Sequence, residues 1–241
     1  MTPLLELKNV SRFFGGLAAL TDVSFDVRKD EILGLIGPNG AGKTTLFNVV
    51  NGFYAPSKGE VFFKGSRISG LKPHRICALG MARTFQVVKP LQRMSVLDNV
   101  IASAFLRAKN KAEAEAIATE VLLLTGLNDD RDVISKGLPL GKRKRLEIAR
   151  ALATKPELIL LDESFAGLNP TEQNESIEII RNIKGNSITI MIIEHNMKVI
   201  MSISDRIMVL NYGEKIAEGS PDEIRNNPLV IEAYLGETQN A

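Results

Sequence analysis

Apolar and polar residues alternate in two segments near the beginning of the chain. Residues 5–10 and 23–27 show this alternation, which is the period of a strand buried on one face of an antiparallel sheet. Residues 32–36 lack it and are almost entirely apolar, as in a strand that is buried on both faces. The first part of the chain therefore predicts half-buried antiparallel strands followed by a fully buried one.

The composition shifts between residues 97 and 127 to Ala, Glu, Lys and Leu. Residues 109–116 have strong helix propensity, and Gly126 is placed to end such a helix. Residues 158–161 and 188–193 are short apolar runs typical of buried parallel strands, with space for a helix between them. This order of segments predicts an α/β protein in which a helical insert separates two strand-rich halves.

The last part of the chain predicts a hairpin and then a helix. Residues 206–210 and 214–217 flank Asn211-Tyr212-Gly213, a combination typical of a tight β-turn. Ser220, Pro221 and Glu223 then supply an N-cap, a proline at the first helical position and a capping-box glutamate. A helix is therefore expected to begin immediately after Ser220.

Composition and charge narrow the class of protein. The chain has 241 residues, of which 44% are apolar and 24% charged, so a single α/β domain is allowed and a disordered or coiled-coil chain is excluded. The net charge of 30 − 28 = +2 is too even for a surface that coats nucleic acid or membrane. The single cysteine, Cys77, has no partner for an internal disulfide. We expect a folded cytosolic protein.

A glycine-rich segment after the first buried strand matches the pattern G-x-x-x-x-G-K-[ST] and precedes a predicted helix at residues 43–50. Backbone N–H groups of such a loop surround phosphate oxygens, and the helix N-terminus adds positive charge. Lys43 reaches the β and γ phosphates, and the Thr44 hydroxyl suits magnesium. The alternative is an ordinary strand-to-helix turn. We call the segment the phosphate loop; it comprises Gly37, Pro38, Asn39, Gly40, Ala41, Gly42, Lys43, Thr44 and Thr45.

Two adjacent carboxylates, Asp162 and Glu163, end the buried run at residues 158–161. A buried parallel strand delivers such groups to the carboxyl edge of its sheet, where the phosphate loop is also expected. Asp162 is then placed to hold magnesium, usually through water, and Glu163 to polarise the attacking water. The alternative is a strand that ends in a solvated acidic turn.

The motifs together resemble those of the ATP-binding-cassette (ABC) ATPases over essentially the whole chain. The resemblance implies a P-loop NTPase (RecA-like) core with an N-terminal antiparallel β-subdomain and an inserted α-helical subdomain. The core is expected at about residues 1–86 and 157–241, and the helical subdomain at about 87–156. The motifs are the phosphate loop, Thr84-Phe85-Gln86, Leu138-Pro139-Leu140-Gly141, residues 145–152, Leu161-Asp162-Glu163 and Glu194-His195.

Within that family the chain looks most like the ATPase subunits of bacterial branched-chain amino-acid importers. The narrower resemblance implies ATP and Mg²⁺ as cofactors, transmembrane permease subunits and a second ABC ATPase subunit as partners, and indirectly a solute-binding protein. It places the protein peripherally on the cytoplasmic face of the inner membrane, with no role for nucleic acid. The alternatives are another bacterial ABC system, such as lipopolysaccharide export, or a soluble non-transport ABC ATPase. The motifs are residues 82–86, 166–170, 193–197 and 232–237.

The resemblance also implies roles for individual residues. Phe14 matches the aromatic residue that stacks on adenine; the alternative is a core phenylalanine at a strand end, and Phe13 is the competing candidate for the role. Gln86 matches the glutamine that touches magnesium and senses the membrane partner, and His195 matches the histidine that contacts the γ-phosphate. The implied catalytic set is Lys43, Glu163 and His195, and the implied metal set is Thr44, Gln86 and Asp162. The segment from Gln86 to Met94 is expected to line the groove that receives a short helix of the permease.

The chain departs from the family at the signature peptide. Where the family has Leu-Ser-Gly-Gly-Gln, this chain has Leu138, Pro139, Leu140, Gly141 and Lys142, which we call the signature segment. The serine hydroxyl and the first glycine are absent. By resemblance, the signature of one subunit closes over ATP held by the other, so the altered site is the one completed for the partner. A heterodimer is favoured over a homodimer, which would carry the change in both sites.

The signature segment runs into a dense basic run, Lys142-Arg143-Lys144-Arg145. A solvated helix face is one interpretation. Cations in the first turn of a helix are disfavoured by the helix dipole, and a bound anion would reverse that penalty. The second interpretation is therefore that the run attracts the ATP phosphates of the partner subunit.

Overall fold

The computed structural model describes residues 2–84 and 90–238 and divides into two compact units. The first unit joins Met1–Ile76 with Thr189–Ala241, and the second is the continuous segment Cys77–Ile188. Throughout the described ranges, every helix is too short or too polar to cross a membrane.

The strands are β1 (Leu5–Phe14), β2 (Leu17–Val27), β3 (Ile32–Ile36), β4 (Lys58–Phe63), β5 (Ser66–Arg67), β6 (Met81–Arg83), β7 (Leu158–Asp162), β8 (Thr189–Ile193), β9 (Arg206–Asn211) and β10 (Glu214–Gly219). The helices are α1 (Lys43–Val50), α2 (Pro73–Leu79), α3 (Val96–Ala104), α4 (Lys111–Leu124), α5 (Leu140–Leu152), α6 (Pro170–Gly185), α7 (Met197–Ile203), α8 (Pro221–Arg225) and α9 (Pro228–Thr238).

The antiparallel sheet of the first unit has the order β2-β1-β4-β5. The strands predicted at residues 5–10 and 23–27 are present, but both are longer than the alternation indicates. Asn9 and Asp22 have positive φ angles of 49° and 52°, and the β1–β2 register shifts around them. Asn9 Nδ2 donates to Asp22 Oδ1 at 2.8 Å. Since such bulges change the phase of the alternation, the strands continue where the sequence pattern stops.

The parallel strands of the first unit place two loops at one edge. β3 lies between β8 and β9 and runs parallel to both. As predicted, β3 and β8 are buried over their whole lengths. Leu35 pairs with Ile193, so both strands end at nearly the same level. The segments that follow them, residues 37–45 and 194–197, therefore leave from the same edge.

The predicted hairpin and capping box are both confirmed in the C-terminal segment. Tyr212 and Gly213, between β9 and β10, have φ angles of 45° and 80°, as a tight hairpin turn requires. The Ser220 side chain accepts the Glu223 N–H at 3.4 Å. Hydrogen bonds from the Ser220 N–H and hydroxyl in turn lower the pKa of Glu223. The helical region then breaks before Pro228, because proline disfavours the helical conformation in the residue that precedes it.

The second unit contains the parallel pair β6–β7 and the helices α3 to α6. The helix predicted from residue 109 is α4, which begins at Lys111. Its start is set by Asn110, whose side chain accepts the Glu113 N–H at 2.9 Å. Gly126 follows the helix with a φ of 64°, the left-handed conformation that commonly ends helices.

Candidate functional site

The phosphate loop connects β3 to α1 in the first unit. Lys43, the first residue of α1, is buried, and its Nζ donates to the carbonyl oxygens of Gly37 and Pro38 at 2.6 and 2.7 Å. Gly42 has a φ of 99°, and a Cβ there would lie 2.6 Å from the Ala19 carbonyl oxygen. Only glycine fits this position. The main chain thus curls around the Lys43 ammonium, the shape expected of a phosphate cradle.

The N-terminus of α1 is suited to bind an anion. Its first turn holds no acidic residue, and no side chain within the described part of the chain caps it, so these residues do not neutralise its positive end. Asn39, Gly40 and Thr44 are exposed there, whereas Pro38 and Ala41 are buried. The Thr44 hydroxyl is a hard oxygen donor, the type that Mg²⁺ prefers.

His195 lies in the same unit as the phosphate loop. It follows β8 after the buried Glu194, and its own side chain is exposed. Because β3 and β8 are adjacent and parallel, the structure brings His195 and the phosphate loop to one edge. This agrees with the predicted contact between His195 and the γ-phosphate, which stays a prediction.

Phe14 ends β1 in a small cluster with Arg12 and Tyr54. Its ring meets Tyr54 edge-on, with a centroid distance of 5.1 Å, and the Arg12 Cζ lies 4.5 Å from its centroid. Phe13 and Phe14 are 36% and 38% exposed, so exposure alone does not separate the two candidates. Phe14 has these two contacts, whereas Phe13 has a longer one with Lys58 Nζ at 6.0 Å from its centroid, and this difference favours Phe14 as the fixed aromatic surface. Sequence reasoning missed Tyr54, and the signal that could have found it is the aromatic pair Phe53-Tyr54 shortly after the phosphate-loop helix.

Asp162 lies in the second unit as the last residue of β7 and forms a buried ion pair. Arg83 Nη2 lies 2.8 Å from Asp162 Oδ2, and the two side chains are 4% and 3% exposed. The Asp162 N–H donates to the Thr84 hydroxyl at 3.3 Å. The Asp162 carboxylate is thus held by Arg83, the last residue of β6, and the Asp162 main chain by Thr84, the residue after it. It is an oxygen donor of the type that Mg²⁺ takes through one or two carboxylates and several waters.

Glu163 has an unusual backbone. Its φ is 50°, the left-handed region that non-glycine residues rarely adopt. Its carbonyl oxygen accepts from Lys144 Nζ at 2.8 Å and from the Ala166 N–H at 3.3 Å. Lys144 belongs to the basic run and is buried. At least one of these cations is therefore not part of a solvated helix face.

The signature segment spans the start of α5: Leu138 and Pro139 lie before the helix, and Leu140 is its first residue. Leu138 is buried, Pro139 is the N-cap, and Leu140 is 38% exposed. A Cβ on Gly141 would lie 2.5 Å from Glu172 Oε1, so α5 approaches the start of α6 closely. Lys142 Nζ forms an ion pair with Asp130 Oδ1 at 2.7 Å. That pair supplies an anion for Lys142 within its own unit.

The segment proposed to meet a membrane partner is described from Pro90 onward, and Gln86 lies outside the described residues. The Leu91 N–H donates to Asn99 Oδ1 at 2.8 Å, and Asn99 Nδ2 donates to the Leu91 carbonyl oxygen at 3.2 Å. Asn99 is fully buried, whereas the Leu91 side chain is 41% exposed. Asn99 therefore anchors the main chain of Leu91, while the apolar side chain of Leu91 is exposed to solvent. Sequence reasoning did not identify Asn99, which carries no motif.

Comparison with known proteins decides the family. The family model described as ABC transporter matches residues 20–166. Over 251 residues the chain is 42% identical to the high-affinity branched-chain amino acid transport ATP-binding protein LivG of Salmonella typhimurium, with 98% of each chain covered. The chain belongs to the ABC transporter family. The predicted family is confirmed, and this ABC protein is an ATP hydrolase.

Two further relatives and a second family model are also similar to the chain. A solved structure, the ADP conformation of MJ1267, an ATP-binding cassette of an ABC transporter, matches with a TM-score of 0.89 and 31% identity. The match covers 98% of this chain and 100% of that one and confirms the predicted fold class. The lipopolysaccharide export system ATP-binding protein LptB of Acidithiobacillus ferridurans is 35% identical, with 98% of each chain covered. A second family model, described as branched-chain amino acid ATP-binding cassette transporter, matches residues 214–239.

Proposed function

We propose that this ABC protein is the peripheral ATP-hydrolysing subunit of an importer for branched-chain or other hydrophobic amino acids. The match of residues 214–239 to the family model of branched-chain amino acid cassettes carries the proposal. The higher identity to LivG than to LptB, 42% against 35%, supports amino-acid import over lipopolysaccharide export. The protein would act at the cytoplasmic face of the inner membrane, with permease subunits and, indirectly, a solute-binding protein.

ATP binding is assigned to residues of the first unit. Phe14 offers an aromatic face to the adenine, steadied by Arg12 and Tyr54. Lys43 and the N–H groups at the start of α1 bind the β and γ phosphates. His195, which follows β8 at the same edge, contacts the γ-phosphate by donating a ring N–H to one of its oxygens.

Hydrolysis is assigned to the acid pair of the second unit. Glu163 accepts a proton from the attacking water as general base. Thr44, Gln86 and Asp162 are the residues proposed to hold Mg²⁺, which neutralises charge on the β and γ phosphates when bound. Arg83 holds the Asp162 carboxylate through their buried ion pair. The oxygen donors Thr44 and Asp162 fit this metal.

We expect Leu91→Asp to abolish leucine uptake while ATP affinity stays within about twofold. A charge at this anchored, exposed apolar position opposes burial against a permease helix, whereas the phosphate loop is untouched. Uptake of radiolabelled leucine in cells that carry the variant as the sole copy measures the effect. Leu123→Asp, which changes the 64% exposed leucine of α4, is the matched control and should transport normally.

The same position tests the partner directly. A photo-cross-linker at position 91 should reach a permease subunit, and one at position 123 should not. Normal leucine uptake by Leu91→Asp, together with no permease cross-link from position 91, would contradict the proposed subunit role. Defective lipopolysaccharide delivery with normal leucine uptake would favour the export alternative.

We expect Pro139→Ser combined with Leu140→Gly to raise ATP turnover of the purified protein roughly ten- to a hundredfold. The serine restores a hydroxyl that donates to a phosphate, a contact worth about 1.5–3 kcal/mol, and the glycine restores close backbone approach. The change in steady-state phosphate release measures it. Pro139→Ala with Leu140→Gly is the control, since it lacks only the hydroxyl.

This result would support a heterodimer in which the signature of the partner subunit sustains most turnover. Lys142 is already paired with Asp130 at 2.7 Å, and this carboxylate offsets the positive charge that Lys142 would offer to a phosphate in place of the missing hydroxyl. Fast hydrolysis by the unmodified protein alone, with a large loss in Lys142→Ala, would instead support a homodimer whose phosphate contact is the basic run.

A further inference from the structure

The strained backbone of Glu163 is held from a second element. Its φ of 50° is rare for a glutamate and persists only where the surroundings impose it. The Ala166 N–H bond to its carbonyl oxygen is local and belongs to the turn. The Lys144 Nζ bond to the same oxygen, at 2.8 Å, comes from α5, nineteen positions away.

Lys144 is placed differently from Lys142 and Arg145, two other cations of the basic run. It is 9% exposed, and a buried ammonium is retained only with good hydrogen-bond acceptors. Lys142 binds Asp130 and Arg145 binds Glu175, and both of those partners are side-chain carboxylates. Lys144 binds a main-chain carbonyl of the candidate general base. Its position along α5 is two residues after the signature segment.

We infer that Lys144 is a positioning residue that sets the orientation of Glu163 and connects it to the signature segment. The inference rests on the proposed role of Glu163 as general base. A main-chain anchor beside the Cα of Glu163 fixes the direction in which its side chain leaves the backbone. Because the anchor is carried by α5, a displacement of α5 when the signature segment engages the partner's ATP is transmitted to the base in this chain's own site.

The experiment compares Lys144→Met with Lys144→Arg and with the matched control Arg150→Met. Methionine keeps the buried stem and removes the donor, arginine keeps a cationic donor, and Arg150 pairs with Glu147 on the same helix. We expect Lys144→Met to lower kcat roughly ten- to a hundredfold, the effect of losing one charge-assisted hydrogen bond. The KM and the Kd for ATP should stay within about threefold, Lys144→Arg should restore most of the rate, and Arg150→Met should change it less than about twofold.

A double-mutant cycle separates positioning from structural support. In the Glu163→Gln background, Lys144→Met should cause no further loss in single-turnover hydrolysis, because the group it positions is already gone. Equal losses in both backgrounds, an unchanged kcat, or a loss confined to ATP affinity would each overturn the inference. If Lys144→Met does not fold, Lys144→Leu, which also removes the donor and keeps an apolar stem, takes its place in the cycle.

The same cycle distinguishes failure of the inference from failure of the proposed function. If Glu163→Gln alone hydrolyses ATP at the normal rate, Glu163 is not the base and the proposed mechanism fails. If Glu163→Gln is inactive but Lys144→Met is as active as the unmodified protein, the mechanism stands and the role of Lys144 is refuted.

Discussion

Glu163→Gln is expected to bind ATP normally and to hydrolyse it roughly 10²–10⁴-fold more slowly. Glutamine keeps the size of the side chain and the hydrogen bonds that its backbone makes with Lys144 and Ala166. It removes the carboxylate that accepts a proton from water. A fluorescent ATP analogue measures binding, and phosphate release measures turnover, so the two effects are read separately.

The matched control is Glu178→Gln in α6, where the same chemical change removes an exposed pair with Arg181. Its turnover should stay within about twofold, because exposed ion pairs contribute little. Turnover of Glu163→Gln at the rate of this control would exclude Glu163 from the catalytic step. A parallel loss of ATP binding would instead indicate a role in holding the nucleotide.

The features that the sequence predicts well are local ones. The phosphate loop is a contiguous motif, and its glycines and lysine shape a single turn of the main chain. In the structure that turn closes around the Lys43 ammonium. The buried strands β3 and β8 are continuous apolar runs, and the capping box at Ser220 lies within four residues. In each case the residues that cause the structure are neighbours in the sequence.

The features that escaped prediction depend on contacts between residues that are not neighbours in the sequence. Lys144 stands in a run of four cations, and only the packing of α5 shows that it is buried against Glu163. Asn99 anchors Leu91 from within α3 and carries no motif. Arg83 belongs to a motif quoted for the family, but its partner lies 79 positions away. Composition and periodicity cannot predict such pairs, because they describe only residue content and the pattern among sequence neighbours.

The ion pair with Arg83 also explains why the Asp162 carboxylate is buried, although it lies at the end of a strand. A solvated acidic turn, the alternative interpretation of these residues, does not describe Asp162, whose side chain is 3% exposed. Burial of an ionised carboxylate is sustained by a cation at hydrogen-bond distance and by further hydrogen bonds. In this structure Arg83 is the cation at hydrogen-bond distance from Asp162. The pair therefore gives Arg83 a stability role that can be measured apart from ATP hydrolysis.

Arg83→Met is expected to lower the free energy of unfolding by about 3–5 kcal/mol, because it leaves the Asp162 carboxylate buried without its cation. Adding Asp162→Asn removes that charge, so the double variant should recover most of the loss. Urea denaturation of the nucleotide-free protein measures both. Arg181→Met, which breaks an exposed pair, should cost no more than about 1 kcal/mol. If Arg83→Met costs as little as this control, or if the two single losses simply add in the double variant, the buried pair does not govern stability at this site.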